Sequence, residues 1–393
     1  MRRLADQPAA GDSMLGAPQA VPAEFDYVAL VAATPRPLVD CRRLLVAVPN
    51  WVGDVVLATP ILAAIRKHFS AVHVAFLLRP YVAEIVEGGG WHDQLIPWPR
   101  GGGVSSLAAL RDLSRSLRRD HFDAALLFTN SFRSALAVRM AGIPRRIGYA
   151  RELRAFLLTD RLRPLRRGGQ FVPMPMLDYY CAIAEHVGCP VTDRRLRLGV
   201  TPEQEAAAAT LARQYRLQAG AYSIINPGAA FGASKCWPPE RFAEVCDLLF
   251  ERGLPGVLVG APGEKPLMRE IARLARRPVT CCDEPGTTLG SLKALVRDAA
   301  LLVCNDTGPR HYGNAFGVPT VTIFGPTHQE WTDTGYSGEI KLQASVDCGP
   351  CQLKRCPLDH RCMTAISPGE VITAAERLLA ERGRKSAMGT GVD

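Results

Sequence analysis

Nowhere among the 393 residues is there a run of roughly 20 uncharged apolar residues, the length an α-helix needs to cross a bilayer. The N-terminus also lacks the basic, then apolar, then small-residue order of a secretion signal, so the expected working place is the cytoplasm. Two nucleotide-binding signatures are missing: the GxxxxGK[ST] of a P-loop and the GxGxxG of a dinucleotide site. Aromatic residues make up only 7% of the chain, and they are not interleaved with arginines as stacking on single-stranded bases requires. No nucleic-acid partner is therefore expected.

What is present is an apolar, basic chain long enough for two domains of roughly 150 residues each. The opening stretch "MRRLADQPAAGDSMLGAPQAVPAEF" is rich in Ala, Pro and Gly without apolar periodicity, and residues 1–40 read as a poorly ordered extension. Strand-like and helix-like runs then alternate. "RLLVAVPN" leads into "GDVVLATPILAAIRKHF", "VHVAFLLR" follows, and "FDAALLFTN" with "SFRSALAVRMAG" repeats the pattern. A second round follows the Glu- and Ala-rich helix "TPEQEAAAATLARQYRL", through "YSIINPG", "GVLVGAP", "ALLVCNDTG" and "PTVTIFG". Such βαβ alternation demands parallel sheets covered on both faces. The expected fold is α/β: two Rossmann-like doubly wound domains, 41–200 and 201–393, facing a central cleft. A closing helix is predicted in "SPGEVITAAERLLAERG", with Ser367 as N-cap, Pro368 in the first turn and Gly383 at its end.

The net charge of +9 is unevenly spread. Between residues 141 and 170 the arginines at 145, 146, 151, 154, 161, 163, 166 and 167 face only Glu152 and Asp160. Guanidinium groups grip phosphate or carboxylate at two points, so this stripe suits an acidic substrate or an anionic membrane surface, unless it is simply a solvated face.

Ligands of open α/β sheets sit beyond the carboxyl ends of the strands. "NDTGPRHYG" places Asp306, Thr307 and Gly308 there, with His311 one helical turn on, where free N–H groups and a positive helix end attract phosphate. "INPGAAFGASKCWPPERF" adds a Gly-rich loop with Lys235 just before a helix, suited to a diphosphate; Trp237 reads as packing. In the first half, "VPNWVGDVVLATP" sets Asp54 at the first helix start. An acid there is ordinarily a cap, but across a cleft from a bound diphosphate it is placed to take a proton from an incoming hydroxyl.

Together "WVGDVVLATPILAAIRK", "NSFRSALAVRMAGIPRRIGY", "NPGAAFGASKCWPPERF" and "NDTGPRHYGNAFGVPTVTIFGPT" resemble the bacterial lipopolysaccharide heptosyltransferases of glycosyltransferase family 9, most closely the heptosyltransferase II type. The resemblance covers roughly residues 43–382 in the family's order. It implies a GT-B fold, ADP-L-glycero-β-D-manno-heptose as donor and lipid-anchored core oligosaccharide as acceptor. It also implies peripheral contact with the inner face of the inner membrane, and no cofactor required for catalysis. By the same resemblance Asp54 is the general base and Lys235 the diphosphate ligand. Asp306, Thr307, Gly308 and His311 surround phosphates and heptose, Glu264 binds the adenosine ribose, and Asn130, Ser131 and Arg133 touch the acceptor. The arginine stripe then meets the acidic sugars and phosphates of the inner core.

"DCGPCQLKRCPLDHRCM", within a loop spanning 347–363, departs from that simple picture. Cys348, Cys351, Cys356 and Cys362 have C-x₂-C-x₄-C-x₅-C spacing, which suits a structural zinc or iron, with reduced thiols or a disulfide staple as alternatives. Three other functions stay open on the residues. They are sugar transfer to a protein or other glycan, nucleotide-sugar epimerisation (for which no second carboxylate stands out beside Asp54), and a basic binding module.

Overall fold

The computed structural model describes residues 34–99, 105–167, 170–172 and 174–387 of the chain. The first 33 residues of the expected N-terminal extension lie outside them. The first sheet is formed by β1 (Arg43–Ala47), β2 (His73–Leu78), β3 (Gln94–Pro97), β4 (Ala124–Leu127), β5 (Arg145–Tyr149) and β6 (Asp160–Leu162). They lie in the order β3-β2-β1-β4-β5-β6, all parallel. A two-stranded antiparallel ribbon, β7 (Arg166–Arg167) and β8 (Gln170–Phe171), follows.

The second sheet is formed by β9 (Ser223–Asn226), β10 (Gly256–Leu258), β11 (Thr280–Cys281), β12 (Leu301–Asn305), β13 (Thr320–Phe324) and β14 (Glu339–Gln343). It repeats the order as β11-β10-β9-β12-β13-β14, again all parallel. Central strands covered on both faces have no polar side to show. In "AALL", "SIIN" and "LLVCN" every residue is buried, so these strands read as unbroken runs and not as alternations. The two doubly wound domains expected from the sequence are therefore present.

Six helices matter for the site. In chain order they are α1 (Val52–His68), α2 (Phe132–Met140), α3 (Met176–His186), α4 (Pro239–Glu251), α5 (Leu289–Arg297) and α6 (Arg310–Phe316). The closing helix, α7 (Pro368–Ala387), begins as expected: the Ser367 N–H donates to Glu370 Oε2 at 2.7 Å, and the Glu370 N–H donates back to Ser367 Oγ at 3.3 Å. It does not stop at Gly383 but runs on to Ala387, with no β-carbon contact at the glycine to interrupt it.

The halves are joined as well as adjacent. One apolar cluster runs from Leu44 and Tyr180 of the first half to Leu302 and Tyr312 of the second. On α5, the buried Lys293 donates to the carbonyls of Glu87 at 3.0 Å and Gly199 at 2.6 Å, and the Gly290 N–H donates to Glu84 Oε2 at 2.6 Å. In each sheet the order reverses between the first and fourth strands, and the two reversal points set the loops after β1, β4, β9 and β12 at the junction of the halves.

Candidate active site between the two sheets

Asp54 occupies the first turn of α1, immediately beyond the loop that follows β1, where the helix end favours a negative charge. It caps nothing: the residue in the cap position is Trp51. Burial pushes the Asp54 carboxyl up to about 6, and the Lys235 ammonium of the other half pulls the opposite way. Tyr180 of α3, its ring stacked on Phe128 with centroids 5.2 Å apart, is close enough to feel the Asp54 charge. A carboxyl tuned to this range is ionised at neutral pH yet basic enough to accept a proton from a hydroxyl.

Facing it, a short 3₁₀ turn after β9 ends in Lys235. The ammonium donates to the Asp306 carboxylate and, at 3.3 Å, to the Asp306 carbonyl, and it lies 4.9 Å from the centre of the Phe231 ring. Asp306 is buried just past β12 and is fully engaged. Its Oδ2 also accepts from Thr327 Oγ1 at 2.8 Å, and its Oδ1 accepts from Arg310 Nη1 at 3.1 Å. Burial alone would raise this carboxyl, but the Lys235 and Arg310 charges and the Lys235 and Thr327 hydrogen bonds more than offset it and hold it below the usual range. Arg310 is in turn fixed by Glu339 on β14, through Nε to Oε1 at 2.8 Å. The outcome is a rigid, charged floor with one ammonium at its edge.

Among the described residues the N–H groups of Thr307 and Gly308 donate to no backbone or side-chain acceptor. They are therefore open to an anion. The following helix α6 spans only Arg310–Phe316, too short for its dipole to dominate, so Lys235 carries most of the attraction. His311 is buried and its ring rests against the turn that carries Asp54: a β-carbon at Gly53 would stand 3.2 Å from His311 Cδ2. Burial, and then the Arg310 charge, hold the imidazole well below its ordinary range, so it is neutral. Its Nδ1 has no partner among the described residues.

The remaining expected residues lie around this centre. Glu264 folds over the loop after β9, where a β-carbon on Gly228 would stand 2.0 Å from its carboxylate. One of its oxygens accepts from the Ala261 N–H at 2.8 Å, and burial raises its carboxyl. Asn130, Ser131 and Arg133 follow β4. Asn130 Oδ1 accepts from the Tyr179 hydroxyl at 2.7 Å and from Arg154 Nη2 at 3.2 Å. Arg154 is itself buried, and that burial draws it down to about 10. Ser131 and Arg133 line a shallow open depression together with Asn50, Arg79, Trp98 and Thr129.

Two expectations need correction. All twelve cysteines are free thiols, and among the described residues no group of three or more His, Cys, Asp or Glu side chains is arranged to hold a metal ion. Cys351 is exposed, Cys362 is buried in the apolar core beneath the loop, and Cys348 and Cys356 are half-buried; Cys362 is near enough to feel the other three thiols, but the four are not arranged to hold a metal ion, which leaves the reduced-thiol alternative. What the loop does is brace the Lys235 turn. The Ser234 N–H donates to the Lys354 carbonyl at 3.3 Å, His360 Nε2 lies 2.7 Å from the Ser234 carbonyl, and a β-carbon on Gly232 would stand 2.4 Å from the Lys354 oxygen.

The arginine stripe is also less free than its spacing suggests. Arg145 pairs with the buried Asp160 at 2.6 Å, Arg146 donates to the Leu157 and Ile143 carbonyls, and Arg154 lies under the loop after β4.

Sequence reasoning missed Arg310, Glu339, Thr327 and Tyr179, and took Arg154 only as a member of the arginine stripe. Arg310 had a signal, since it lies four residues after Asp306 and the two form an i,i+4 pair. Glu339 had none, because its role depends on a strand 29 residues away bringing it to Arg310.

The sequence profile of glycosyltransferase family 9 (heptosyltransferase) matches residues 110–361 of the chain. Lipopolysaccharide heptosyltransferase 2 of Escherichia coli K12 is 28% identical over 298 residues, covering 74% of this chain and 84% of that protein. The solved ADP-heptose lipopolysaccharide heptosyltransferase II of E. coli superposes with a TM-score of 0.71 at 23% identity, covering 87% of this chain and 99% of that one. A family 9 glycosyltransferase from Veillonella parvula superposes at 0.75 and 24% identity, over 88% and 99% of the two chains. Two parallel six-stranded sheets meeting at a basic loop and an acid, a GT-B fold, and a profile match over more than half the chain lead to one conclusion: the chain belongs to glycosyltransferase family 9, the heptosyltransferases.

Proposed function

We propose that the enzyme transfers L-glycero-D-manno-heptose from ADP-heptose to the inner core of lipopolysaccharide, with inversion, and that it adds the second heptose. The observation that carries this reading is the placement of Asp54, with its carboxyl near 6, opposite Lys235 and the open N–H groups of Thr307 and Gly308. Asp54 takes the proton of the acceptor hydroxyl as that oxygen attacks the anomeric carbon. Lys235 and the two N–H groups receive the charge that develops on the departing diphosphate. One displacement at the anomeric carbon turns the β-linked donor into an α-linked product. Neutralisation of the leaving diphosphate by Lys235 is why this mechanism assigns no step to a metal ion.

Three supports lie beside it. The E. coli relative is lipopolysaccharide heptosyltransferase 2, and the solved neighbour is an ADP-heptose lipopolysaccharide heptosyltransferase. Glu264, beyond β10, is the acid suited to the donor ribose, Ser131 and Arg133 line the depression suited to the acceptor, and Asn130 lies between Thr129 and Ser131 on the same loop. His311, neutral and against the Gly53 turn, sits where the heptose hydroxyls would pass. Because the acceptor is lipid-anchored, the enzyme works at the cytoplasmic face of the inner membrane by peripheral contact. No helix among the described residues is long and apolar enough to cross a membrane. The experiment is acceptor-dependent ADP release from ADP-heptose, with inner-core acceptors carrying no heptose, one heptose or two. The reading expects turnover only on the acceptor with one heptose; turnover on none of the three overturns it.

A further inference from the structure

Parallel strands bring their carboxyl ends to the same side of a sheet, so the segments after β5 and β6 share the side of the loop that carries Asn130 and Ser131. Four large apolar side chains face solvent there: Leu153 is 90% exposed, Phe156 67%, Phe171 39% and Phe132 38%. They lie in the segments that follow β4, β5 and β6. The Phe132 and Phe156 rings have centroids 6.0 Å apart, and Phe171 carries the guanidinium groups of Arg151 and Arg166 over its ring at 4.3 and 4.2 Å. Leu153 stands between them in sequence, at the tip of a turn.

That turn is built to hold Leu153 outward. Glu152 and Leu153 both adopt left-handed backbone, with φ of 51° and 55°, a conformation that costs free energy in residues other than glycine. Directly after them the buried Arg154 anchors the turn to the Thr129 and Tyr149 carbonyls and to Asn130 Oδ1. The turn is thus fastened to the loop proposed to meet the acceptor.

The charge here is one-sided. Of the two acids in the arginine stripe, Asp160 is buried and taken by Arg145 and Arg36, which leaves Glu152, beside Leu153, as the remaining acid of the stripe. Arg151 and Arg166 lie over the Phe171 ring, half-buried and exposed, and Arg161 and Arg163, both exposed, belong to the segment between them. A second copy docked by two-fold symmetry would set this collar against itself, arginine on arginine. A bilayer with anionic headgroups complements it: the apolar tips enter the boundary between headgroups and acyl chains while the guanidinium groups meet phosphate.

We propose that Leu153, Phe156, Phe132 and Phe171, within their arginine collar, form a docking surface for an anionic lipid bilayer. It presents a membrane-embedded acceptor to the cleft. The use to which the docking is put rests on the lipopolysaccharide reading given above; the docking itself does not.

The test uses the full chain and vesicles of phosphatidylethanolamine with phosphatidylglycerol, compared with vesicles of phosphatidylcholine alone. The protein is expected to sediment with the anionic vesicles, less so at high salt, and weakly with the neutral ones. The double variant Leu153→Asp with Phe156→Asp should lower the partition by about tenfold or more, while Leu153→Trp should raise it. Both sites are exposed, so an unchanged melting temperature checks the fold. The double variant should retain kcat/KM on delipidated, water-soluble core oligosaccharide and lose it on acceptor embedded in vesicles. Equal partition of wild type and double variant overturns the proposal, as does equal binding to neutral vesicles. Dissociation of an oligomer by the double variant with vesicle binding unchanged also overturns it, in favour of a contact between copies. Failure of heptose transfer to every acceptor removes the functional reading, yet the vesicle partition still decides the docking.

Discussion

Gly308 lies against Gly53 across the junction of the halves: a β-carbon on Gly308 would stand 3.0 Å from the Gly53 nitrogen and 2.7 Å from Val52 Cβ. The turn bearing the proposed base and the loop bearing the proposed phosphate donors are therefore in contact, and Gly308 cannot gain a β-carbon there without the two parting. Gly308→Ala should lower kcat/KM by roughly tenfold to a hundredfold, since a displacement near 1 Å at reacting groups has effects of that order. The global melting temperature should change little. Steady-state kinetics beside a thermal melt checks it; unaltered kinetics would show that the contact is not needed for turnover.

The Asp54 carboxyl near 6 has two measurable consequences. The ionised form is the base, so kcat/KM should fall about tenfold per pH unit below about 6 and level off above it. Asp54→Asn should remove that limb and cost about 10²–10⁴ in kcat. A pH–rate profile of both proteins reads this directly.

Stability should move the other way. The folded-state carboxyl lies above the ordinary value of 3.8, so the folded protein holds its proton more tightly than the unfolded chain. The resulting penalty is absent below 3.8, grows as pH rises to about 6 and is constant above. Asp54→Asn is expected to stabilise the protein at pH 7–8 by on the order of 2 kcal/mol and to give no gain at pH 4. Denaturant titrations at the two pH values decide it.

Lys235 owes its place to Asp306, and Asp306 owes its ionisation partly to Arg310. Lys235→Met should weaken ADP binding by roughly tenfold to a hundredfold, the range of a hydrogen bond to a charged group. Calorimetry with ADP tests this without any acceptor. Arg310→Met is a different kind of change, because it leaves Glu339 buried with its cation gone and Asp306 with Lys235 alone. A loss of about 3–5 kcal/mol in stability is expected from a denaturant melt.

The parts of this protein that a sequence makes legible are those governed by neighbours in the chain. Buried parallel strands such as "LLVCN", the capped start of α7, and the loops holding Asp54, Lys235 and Asp306 are all local patterns, and each is found where it was expected. Gly383 misled because a glycine ends a helix only where the chain also turns, and here nothing forces it to. The four loop cysteines do come near one another, as their spacing suggests, but spacing does not fix the arrangement that a metal ion requires. Arg154 read as part of a surface stripe, although its guanidinium is consumed by carbonyls of a loop more than 20 residues earlier. Glu339 and Tyr179 had no readable role at all, since each acts through a partner on a separate element.

The most direct test of the account is ADP release from ADP-heptose, measured with inner-core oligosaccharide carrying one heptose, for wild type and Asp54→Asn together. Release that requires the acceptor in the wild type, and falls by about 10²–10⁴ in the variant while ADP still binds both proteins equally, is the predicted result. Acceptor-dependent release at the wild-type rate in Asp54→Asn would contradict the assignment of Asp54 as the base on which the account rests.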